Sequence, residues 1–509
     1  MSGSVKIIEN GFVYSGDKQN RAGRQTIIIQ GGRIVEMGKR AEALKPTYPK
    51  AEIIDAAGKL LLPGFVDAHH TGESFILRYL TDGHPMSRWN KNPGITRALE
   101  YLRKEATYQE FLSLYRLSYY SALKSGVTTL AEHGFDSPDH SFPASFEAMQ
   151  QSNQRGFIGL HNGDQFEAAR KLHNPAIRFA FVVADEENLT TYNLQSTIRM
   201  ARNLAWPIML HLGQSRQAFN IIKKNFTKSV AQLYAEYRAM DSPAHLIHLA
   251  CFEDGDHDLI AKSRLPLIYS PTAIIRKGGE IPPFEELRRH KMSFAMGSDW
   301  GDAKPLENIQ HYCSIIKTLG LPIEDAYALL ALHTVNGASA LGMEDEIGTI
   351  EPGKKADVVF LDLSDFRLNP ILAEDHADRI LEVVLREAAS SHVSDVMING
   401  EFYVRGGLVL TYSEEDLARE GQAIFKKLLS FREPKAAVDT PPASIFKLPV
   451  QKIKELNSFS DDMNLDEGFR VIRKGSSVPG PETKRSDSHK TEKDPPPNIK
   501  KIFGEEESG

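Results

Sequence analysis

The chain has 509 residues, of which 41% are hydrophobic and 25% charged, a composition typical of a soluble globular protein. Its net charge of −6 argues against nucleic-acid or anionic-membrane binding through bulk positive charge, although a local basic patch stays open. The two cysteines, Cys251 and Cys313, exclude a disulfide framework and a cysteine-rich metal cage. Neither a signal peptide nor an apolar run long enough to span a membrane is recognisable, so we expect a cytoplasmic protein with no membrane or nucleic-acid partner.

Both ends of the chain carry short β-rich segments that are joined by tight turns. Gly31-Gly32 and Asn399-Gly400 are hairpin signals between alternating apolar residues. The predicted strands are 5–14, 25–30, 33–38, 357–363, 393–398 and 401–405. The two groups lie on either side of a long middle region, so we expect one small β-sandwich built from residues 1–62 and 344–412.

The middle of the chain alternates short apolar runs with longer segments of helical periodicity. Eight of these runs have strand length, namely Leu61–Ala68, Val127–Glu132, Phe157–His161, Arg178–Ala184, Pro207–Gly213, Ala244–Ala250, Leu265–Ser270 and Ser293–Ser298. A doubly wound open sheet is the alternative architecture. The strand count and the polar residues at the strand ends favour an α/β fold with a (β/α)₈ TIM barrel over residues 63–343.

The last hundred residues divide into a helix and an extension. Ser413 can cap a helix over 413–432, in which Leu417, Ile424 and Leu428 share one face. Residues 433–509 are rich in lysine, glutamate, serine and proline, and we expect them to be largely disordered after about residue 475. Truncation there is predicted to leave folding intact.

Ionisable side chains follow several of the predicted barrel strands. His69, His211, His248 and Asp299 stand at the ends of strands 1, 5, 6 and 8. Because the carboxyl ends of barrel strands meet at one face, these side chains are expected to converge. Three imidazoles and a carboxylate are ligand types that hold zinc or another divalent transition ion.

Seven sequence motifs follow one another along the chain: LPGFVDAHH, GVTTLAEHG, HLGQ, HLIHLACFEDGD, MGSDW, TVNGASALG and IGTIEPGKKADVVFLD. In these motifs and their order the sequence resembles the amidohydrolase superfamily, and most closely its triazine hydrolase and aromatic deaminase branch. The resemblance covers residues 5–410. It implies a metal-dependent hydrolase barrel beside a β-sandwich, a small-molecule substrate, and one divalent ion. Zinc is favoured over iron or manganese, no organic cofactor is expected, and a homodimer is one expected assembly.

The resemblance also implies roles for particular residues. His69, position 71, His211 and Asp299 would hold the metal, with His248 as a further ligand or as the group that polarises the water or substrate. Asp299 would also take the proton from that water. Position 71 is Thr71 where the family has a second histidine. His70 is no simple substitute, because neighbouring side chains on a strand point to opposite faces.

A second departure lies at the end of strand 5. The branch has a glutamate there that shuttles a proton, whereas this chain has Gln214. An amide can hydrogen-bond and orient a substrate, but it cannot exchange a proton near neutral pH. Gln214, Asp299 and His248 are the predicted catalytic residues.

Two arrangements of the metal remain open at this stage. His69, His211, Asp299 and water form one site; the alternative moves the ion toward His211 and His248. Candidates to complete the second arrangement are His161, Asp164, Glu132 and His133, for which ordinary loop polarity is the simpler interpretation.

The loop after strand 1 is expected to overhang the barrel mouth. It carries Glu73, Arg78, Arg88 and Trp89, and the two arginines could bind a substrate carboxylate or form surface salt bridges.

Two functions are consistent with this sequence. The first is hydrolysis of a non-peptide C–N bond in a cyclic amide, an amidine or a heteroaromatic amine through a metal-activated water. The alternative is a degenerate member that binds a ligand or partner without turnover, as Thr71 and Gln214 suggest. The remaining histidines and Asp299 favour the enzyme, with ring deamination as the subclass that Gln214 weakens most.

Overall fold

The computed structural model describes residues 4–19, 22–135, 140–183, 185–369 and 377–431. The predicted extension, residues 433–509, lies outside this described part. Among the described residues no helix has the length and apolar character needed to cross a membrane.

Nineteen strands occur in the described residues. They are β1 Val5–Glu9, β2 Phe12–Tyr14, β3 Ala22–Arg24, β4 Ile27–Gln30, β5 Arg33–Met37, β6 Glu52–Asp55, β7 Lys59–Pro63, β8 Phe65–His70, β9 Val127–Glu132, β10 Arg155–Leu160, β11 Ile177–Val182, β12 Ile208–Leu212, β13 Ala244–His248, β14 Leu267–Tyr269, β15 Phe294–Met296, β16 Val358–Asp362, β17 Val393–Ile398, β18 Glu401–Arg405 and β19 Leu408–Val409.

The same residues form seventeen α-helices. They are α1 Gly38–Leu44, α2 Ser74–Thr81, α3 Pro93–Lys104, α4 Tyr108–Lys124, α5 Ser141–Ser152, α6 Gly163–Ala169, α7 Thr191–Leu204, α8 Arg216–Phe226, α9 Val230–Glu236, α10 Asp256–Ser263, α11 Pro271–Lys277, α12 Phe284–Arg289, α13 Pro305–Thr318, α14 Ala326–Ala331, α15 Val335–Ala340, α16 Ala377–Glu387 and α17 Glu414–Ser430. Short 3₁₀ helices cover 45–47, 86–91, 186–188, 239–241, 366–368 and 390–392.

Strands β8 to β15 form one parallel sheet in sequential order, with a helix after each strand. A bridge between His70 and Asp299 joins the first strand to the residues that follow the last one. The interior of this sheet is filled by side chains such as Val66, Ala131 and Met209, so it is a packed core rather than a channel. The predicted TIM barrel is confirmed.

The predicted first barrel strand, Leu61–Ala68, is wrong as a single element. Leu61 belongs to β7 in the sandwich, and the barrel strand β8 begins at Phe65. The chain changes sheets at Gly64, where an added Cβ would lie 2.3 Å from Oγ1 of Thr128. Both strands are buried, so their apolar run shows no polar break at the junction.

The remaining sheets combine the two ends of the chain. One has seven strands in the order β19-β18-β17-β16-β7-β2-β3, and the other has four in the order β5-β4-β1-β6. In the larger sheet β7, from the N-terminal part, pairs antiparallel with β16, from the C-terminal part. The expected sandwich from both chain ends is therefore present. The exact division at 62/63 and 343/344 stays a prediction.

The predicted C-terminal helix is confirmed as α17. Ser413 caps it, because its side chain accepts a hydrogen bond from the backbone N–H of Asp416. Leu417, Ile424 and Leu428 are buried on one face, where the helix packs against α4 of the barrel.

Candidate active site

A cavity of about 330 Å³ opens at the carboxyl ends of the barrel strands. Its wall combines ionisable groups from the strand ends with aromatic side chains from the loops above them. The lining residues are His69, Thr71, Glu73, Met86, Trp89, Leu99, Arg103, His133, Gly134, Phe135, His161, Val182, Asp185, Asn188, His211, Gln214, His248, Lys277, Asp299 and Trp300. The predicted site residues His69, His211, His248, Asp299 and Gln214 thus all line one cavity.

Three histidines form the centre of this site. His69 lies near the end of β8, His211 in β12, and His248 at the end of β13. All three are buried, and one ring nitrogen of each lies within 4.8 Å of those of the other two. A divalent ion could therefore contact all three imidazoles at once.

Asp299 completes the group from the last barrel strand. Its backbone N–H donates to the carbonyl of His69 at 2.8 Å, and its φ of +53° is in the left-handed region. Such a conformation costs a non-glycine residue about 1–3 kcal/mol, and it aims the carboxylate at the histidines. Oδ1 lies 3.6 Å from Nε2 of His69, and Oδ2 lies 4.0 Å from Nδ1 of His248.

Lys277, from the end of α11, is a site residue that sequence reasoning missed. Its ammonium lies 2.6 Å from Oδ2 of Asp299, and the side chain is buried in the cavity wall. Burial alone would raise the pKa of Asp299, but the Lys277 charge holds it well below its ordinary range. In the sequence, Lys277 is marked only by its position shortly after the seventh barrel strand.

The donor set fits a metal ion chemically. Burial lowers the pKa of His69 and of His248, which keeps both imidazoles in the neutral form that binds metals. Nδ1 of His69 is buried without a hydrogen-bond partner in the described structure. His69, His211, His248 and Asp299 together match the nitrogen and oxygen ligands that zinc prefers.

His211 is held in place by groups on two neighbouring segments. Oδ1 of Asp185 lies 3.0 Å from its Nδ1, and the hydroxyl of Tyr234 donates to its backbone carbonyl at 2.8 Å. A carboxylate on one ring nitrogen orients the other nitrogen toward a metal. Next to it, the buried Glu186 accepts hydrogen bonds from the backbone N–H groups of Gly213 and Gln214. These contacts fix the loop that follows β12, the fifth barrel strand. The sequence pattern did not reveal them.

Thr71 and His70 occupy opposite sides of the barrel wall. Thr71 is buried and lines the cavity, where the resemblance implies a histidine. His70 faces away, with Nε2 2.8 Å from Oγ of Ser118 and Nδ1 3.0 Å from Oδ2 of Asp67. His70 therefore points away from the cavity, as the alternation of side chains along a strand predicts.

The lower-ranked ligand candidates separate into two groups. The ring of His133 stacks on that of His211 at 4.9 Å, and Nε2 of His161 lies 2.9 Å from the carbonyl of His133, so both histidines line the cavity. Glu132 instead accepts hydrogen bonds from two backbone N–H groups, and Asp164 lies in the first turn of α6 outside the cavity wall. Neither carboxylate is placed as a metal ligand.

The loop after β8, the first barrel strand, contributes some of the expected side chains to the cavity but not the two arginines. Trp89 and Glu73 line it, and the Trp89 ring packs 4.8 Å from that of Trp300. Arg78 donates instead to the carbonyl of Phe75, and neither it nor Arg88 is among the described residues that line the cavity. The cavity arginine is Arg103, from α3, so the predicted carboxylate-binding role of Arg78 and Arg88 is not supported.

The profile described as the amidohydrolase family matches residues 60–402, more than half of the chain. The chain belongs to the amidohydrolase family. This amidohydrolase is 23% identical over 433 residues to a 5-methylthioadenosine/S-adenosylhomocysteine deaminase of Pyrococcus furiosus, covering 81% of this chain and 98% of that one. A deaminase of the same name from Pelotomaculum thermopropionicum is 26% identical over 419 residues, covering 78% of this chain and 92% of the relative.

Solved structures share the fold of this amidohydrolase. An adenosine deaminase from Xanthomonas campestris with bound zinc aligns with a TM-score of 0.75 at 19% identity, covering 84% of this chain and 99% of that one. An atrazine chlorohydrolase from Arthrobacter aurescens, complexed with zinc, aligns with a TM-score of 0.69 at 17% identity, covering 82% and 99%. The predicted amidohydrolase superfamily is confirmed by the family match, and the predicted fold is shared with the deaminase and the chlorohydrolase. The chain is a hydrolase of the amidohydrolase type, which acts on non-peptide C–N bonds.

Proposed function

We propose that this amidohydrolase is a zinc-dependent deaminase that hydrolyses the exocyclic C–N bond of an aminopurine nucleoside. The observation that carries the proposal is the group of three imidazole nitrogens within 4.8 Å of one another, beside Asp299, in the cavity at the carboxyl ends of the barrel strands. His69, His211 and Asp299 would hold the ion, with His248 as a further ligand or polarising group. When bound, zinc supplies the Lewis acidity that makes water a nucleophile near neutral pH.

The protein side chains divide the remaining work. The carboxylate of Asp299 accepts the proton of the attacking water, and the neutral imidazole of His248 polarises the reacting group. Gln214, whose backbone is held by Glu186, offers amide donors and an acceptor that orient the substrate. None of these groups delivers a proton to a ring nitrogen.

The proposed substrate class rests on the relatives and on the cavity wall. Curated relatives at 22–26% identity are named 5-methylthioadenosine/S-adenosylhomocysteine deaminases. The cavity of about 330 Å³ has the size of a small-molecule pocket, and Trp89, Trp300 and Phe135 present aromatic surfaces on which a purine can stack.

Binding without turnover is the second candidate. It is favoured by Lys277, whose ammonium already neutralises Asp299, together with Thr71 in place of a ligand. In this case the cavity would bind a nucleoside without holding a metal.

Metal analysis and ammonia release separate the two candidates. The full chain, reconstituted with zinc and freed of excess ion, is expected to retain about one zinc per chain and to release ammonia from adenosine, 5′-methylthioadenosine or S-adenosylhomocysteine. His211→Ala should lose both properties, and His173→Ala, at an exposed histidine, should keep both. Nucleoside binding with no retained zinc and no ammonia would establish the second candidate instead.

The assembly and location of the protein remain predictions. We propose the homodimer and cytoplasmic location expected from the sequence, together with the domain division at 62/63 and 343/344. Sedimentation of the full chain tests the homodimer, and limited proteolysis tests the division.

A further inference from the structure

Glu73 is a buried carboxyl group in the cavity wall that the proposed chemistry has not yet used. The residue is 3% exposed, and its Oε2 has no hydrogen-bond partner in the described structure. No arginine, lysine or histidine within salt-bridge distance neutralises it among the described residues. A buried carboxylate without a charged partner is costly, so the site favours the neutral acid, which can donate a proton.

The ionisable groups around Glu73 strengthen this preference. Glu132 from β9 and Asp299 after β15 are carboxyl groups that disfavour a further negative charge, and Tyr115 from α4 is a neutral phenol. The imidazole of His70 opposes them, but it is already bound to Asp67 and Ser118. Burial and the charge of Glu132 together raise the pKa of Glu73 to about 8.

Hydrogen bonds decide which of the two neighbouring glutamates is ionised. Glu132 accepts from the backbone N–H groups of Gly72 and Gly134 at 3.1 and 2.9 Å, and from the hydroxyl of Tyr119 at 3.1 Å. At Glu73 the backbone donor is the residue's own N–H, and Oε2 has no partner among the described residues. Glu132 is therefore the carboxylate of the pair, and Glu73 is the acid that faces the cavity.

We propose that Glu73 is a catalytic residue that carries a proton to the ring nitrogen of the substrate, the transfer that Gln214 cannot perform. Glu73 and Gln214 line the same cavity from the ends of different strands. The carboxyl group lost at the end of β12 is thus supplied from the end of β8. This inference rests on the proposed deaminase function.

In the proposed reaction Glu73 donates and recovers one proton, and Asp299 accepts and returns another. The water oxygen forms a bond to the amino-bearing ring carbon, one water proton passes to Asp299, and the C=N electron pair takes the proton of Glu73 at the ring nitrogen. Asp299 then returns its proton to the amino group, and the C–N bond breaks with its electron pair on the departing ammonia. The oxygen forms C=O as its remaining proton passes to Glu73. Both carboxyl groups are thereby restored, and water plus aminopurine give oxopurine plus ammonia.

Binding of adenosine and 1-deazaadenosine, which lacks the accepting ring nitrogen, tests the contact without turnover. Metal-free wild type is expected to bind adenosine about tenfold or more tightly than 1-deazaadenosine, because the deaza analogue leaves a buried donor unpaired. Glu73→Leu should bind the two nucleosides equally, whereas Glu73→Gln, which keeps an N–H donor, should retain the preference. Glu105→Gln, at an exposed carboxylate, should resemble wild type.

Turnover by the zinc-loaded protein tests the proton transfer. Glu73→Gln is expected to lower kcat roughly 10²–10⁴-fold with little change in KM, and adding Gln214→Glu should recover part of that loss. Wild-type kcat should fall as the pH rises through about 8, and this limb should be absent in Glu73→Gln. Equal binding of both nucleosides by wild type, or full activity of Glu73→Gln, would overturn the role of Glu73 alone. Failure of wild type to bind either nucleoside would overturn the proposed substrate class, and this inference with it.

Discussion

The ammonium of Lys277 and the carboxylate of Asp299 form a buried ion pair with Nζ and Oδ2 2.6 Å apart, inside the group of candidate metal ligands. A divalent ion that binds Asp299 must share this carboxylate with the ammonium and tolerate its positive charge. The pair therefore stabilises the metal-free site and opposes metal binding.

Lys277→Met should strengthen zinc binding and weaken the metal-free fold. The variant removes a competing cation but leaves the buried Asp299 without its cationic partner, a loss that typically costs about 3–5 kcal/mol. We expect a lower Tm than wild type without zinc, and a larger increase in Tm on adding zinc. Thermal unfolding with and without the ion measures both. An equal zinc-induced shift in both proteins would contradict the competition.

Thr71→His should raise zinc affinity tenfold or more, because it restores an imidazole where the family pattern has one. Losing a group that only hydrogen-bonds to a metal ligand lowers metal affinity roughly 10–100-fold, and a direct ligand should matter at least as much. Competition with a chelator of known affinity measures the change. Thr71→Val, which keeps the size but adds no ligand, is the matched control and should leave the affinity within about twofold of wild type.

Asp299→Asn should reduce hydrolysis by roughly 10²–10⁴-fold or more, since it removes a metal ligand and the proton acceptor together. The measurement is kcat/KM with zinc in excess, which separates lost chemistry from weaker metal binding. Asp254→Asn, at an exposed position, is the control and should keep wild-type activity. Activity of Asp299→Asn near that of wild type would place the proton acceptor elsewhere.

The stability of the protein should depend on pH through Glu73. Its pKa is about 8 in the folded chain against 4.5 as the ordinary value, so between these limits the folded state binds more protons than the unfolded state. The contribution of Glu73 to the free energy of unfolding therefore falls as the pH rises from about 4.5 to about 8. Glu73→Gln should match wild type near pH 4 and become the more stable protein, by up to a few kcal/mol, near pH 9. Urea unfolding of both proteins, with Glu105→Gln as control, measures the difference. A constant difference across the range would show that Glu73 is not the group responsible.

The order of elements along the chain was readable from the sequence because it depends on local periodicity. Apolar runs of strand length alternate with helical segments, and parallel barrel strands place their carboxyl ends together, so His69, His211, His248 and Asp299 could be assigned to one site in advance. The same two-residue alternation placed His70 on the opposite face of β8.

Other features of the protein depend on contacts between segments that are distant in the sequence, and only the tertiary structure decided them. The chain leaves the sandwich for the barrel at Gly64, inside an unbroken apolar run, because both strands are buried. Lys277, at the end of α11 and 22 positions before Asp299 in the chain, contacts that carboxylate. No local sequence pattern marks this contact. Glu73 and Glu132 differ in protonation because Glu132 meets the backbone N–H groups of Gly72 and Gly134, whereas the backbone donor at Glu73 is its own N–H. The two donors at Glu132 depend on how β8 and β9 end side by side. Charge and hydrogen bonding at a buried site are set by neighbours in space, and strand and helix periodicity does not encode them.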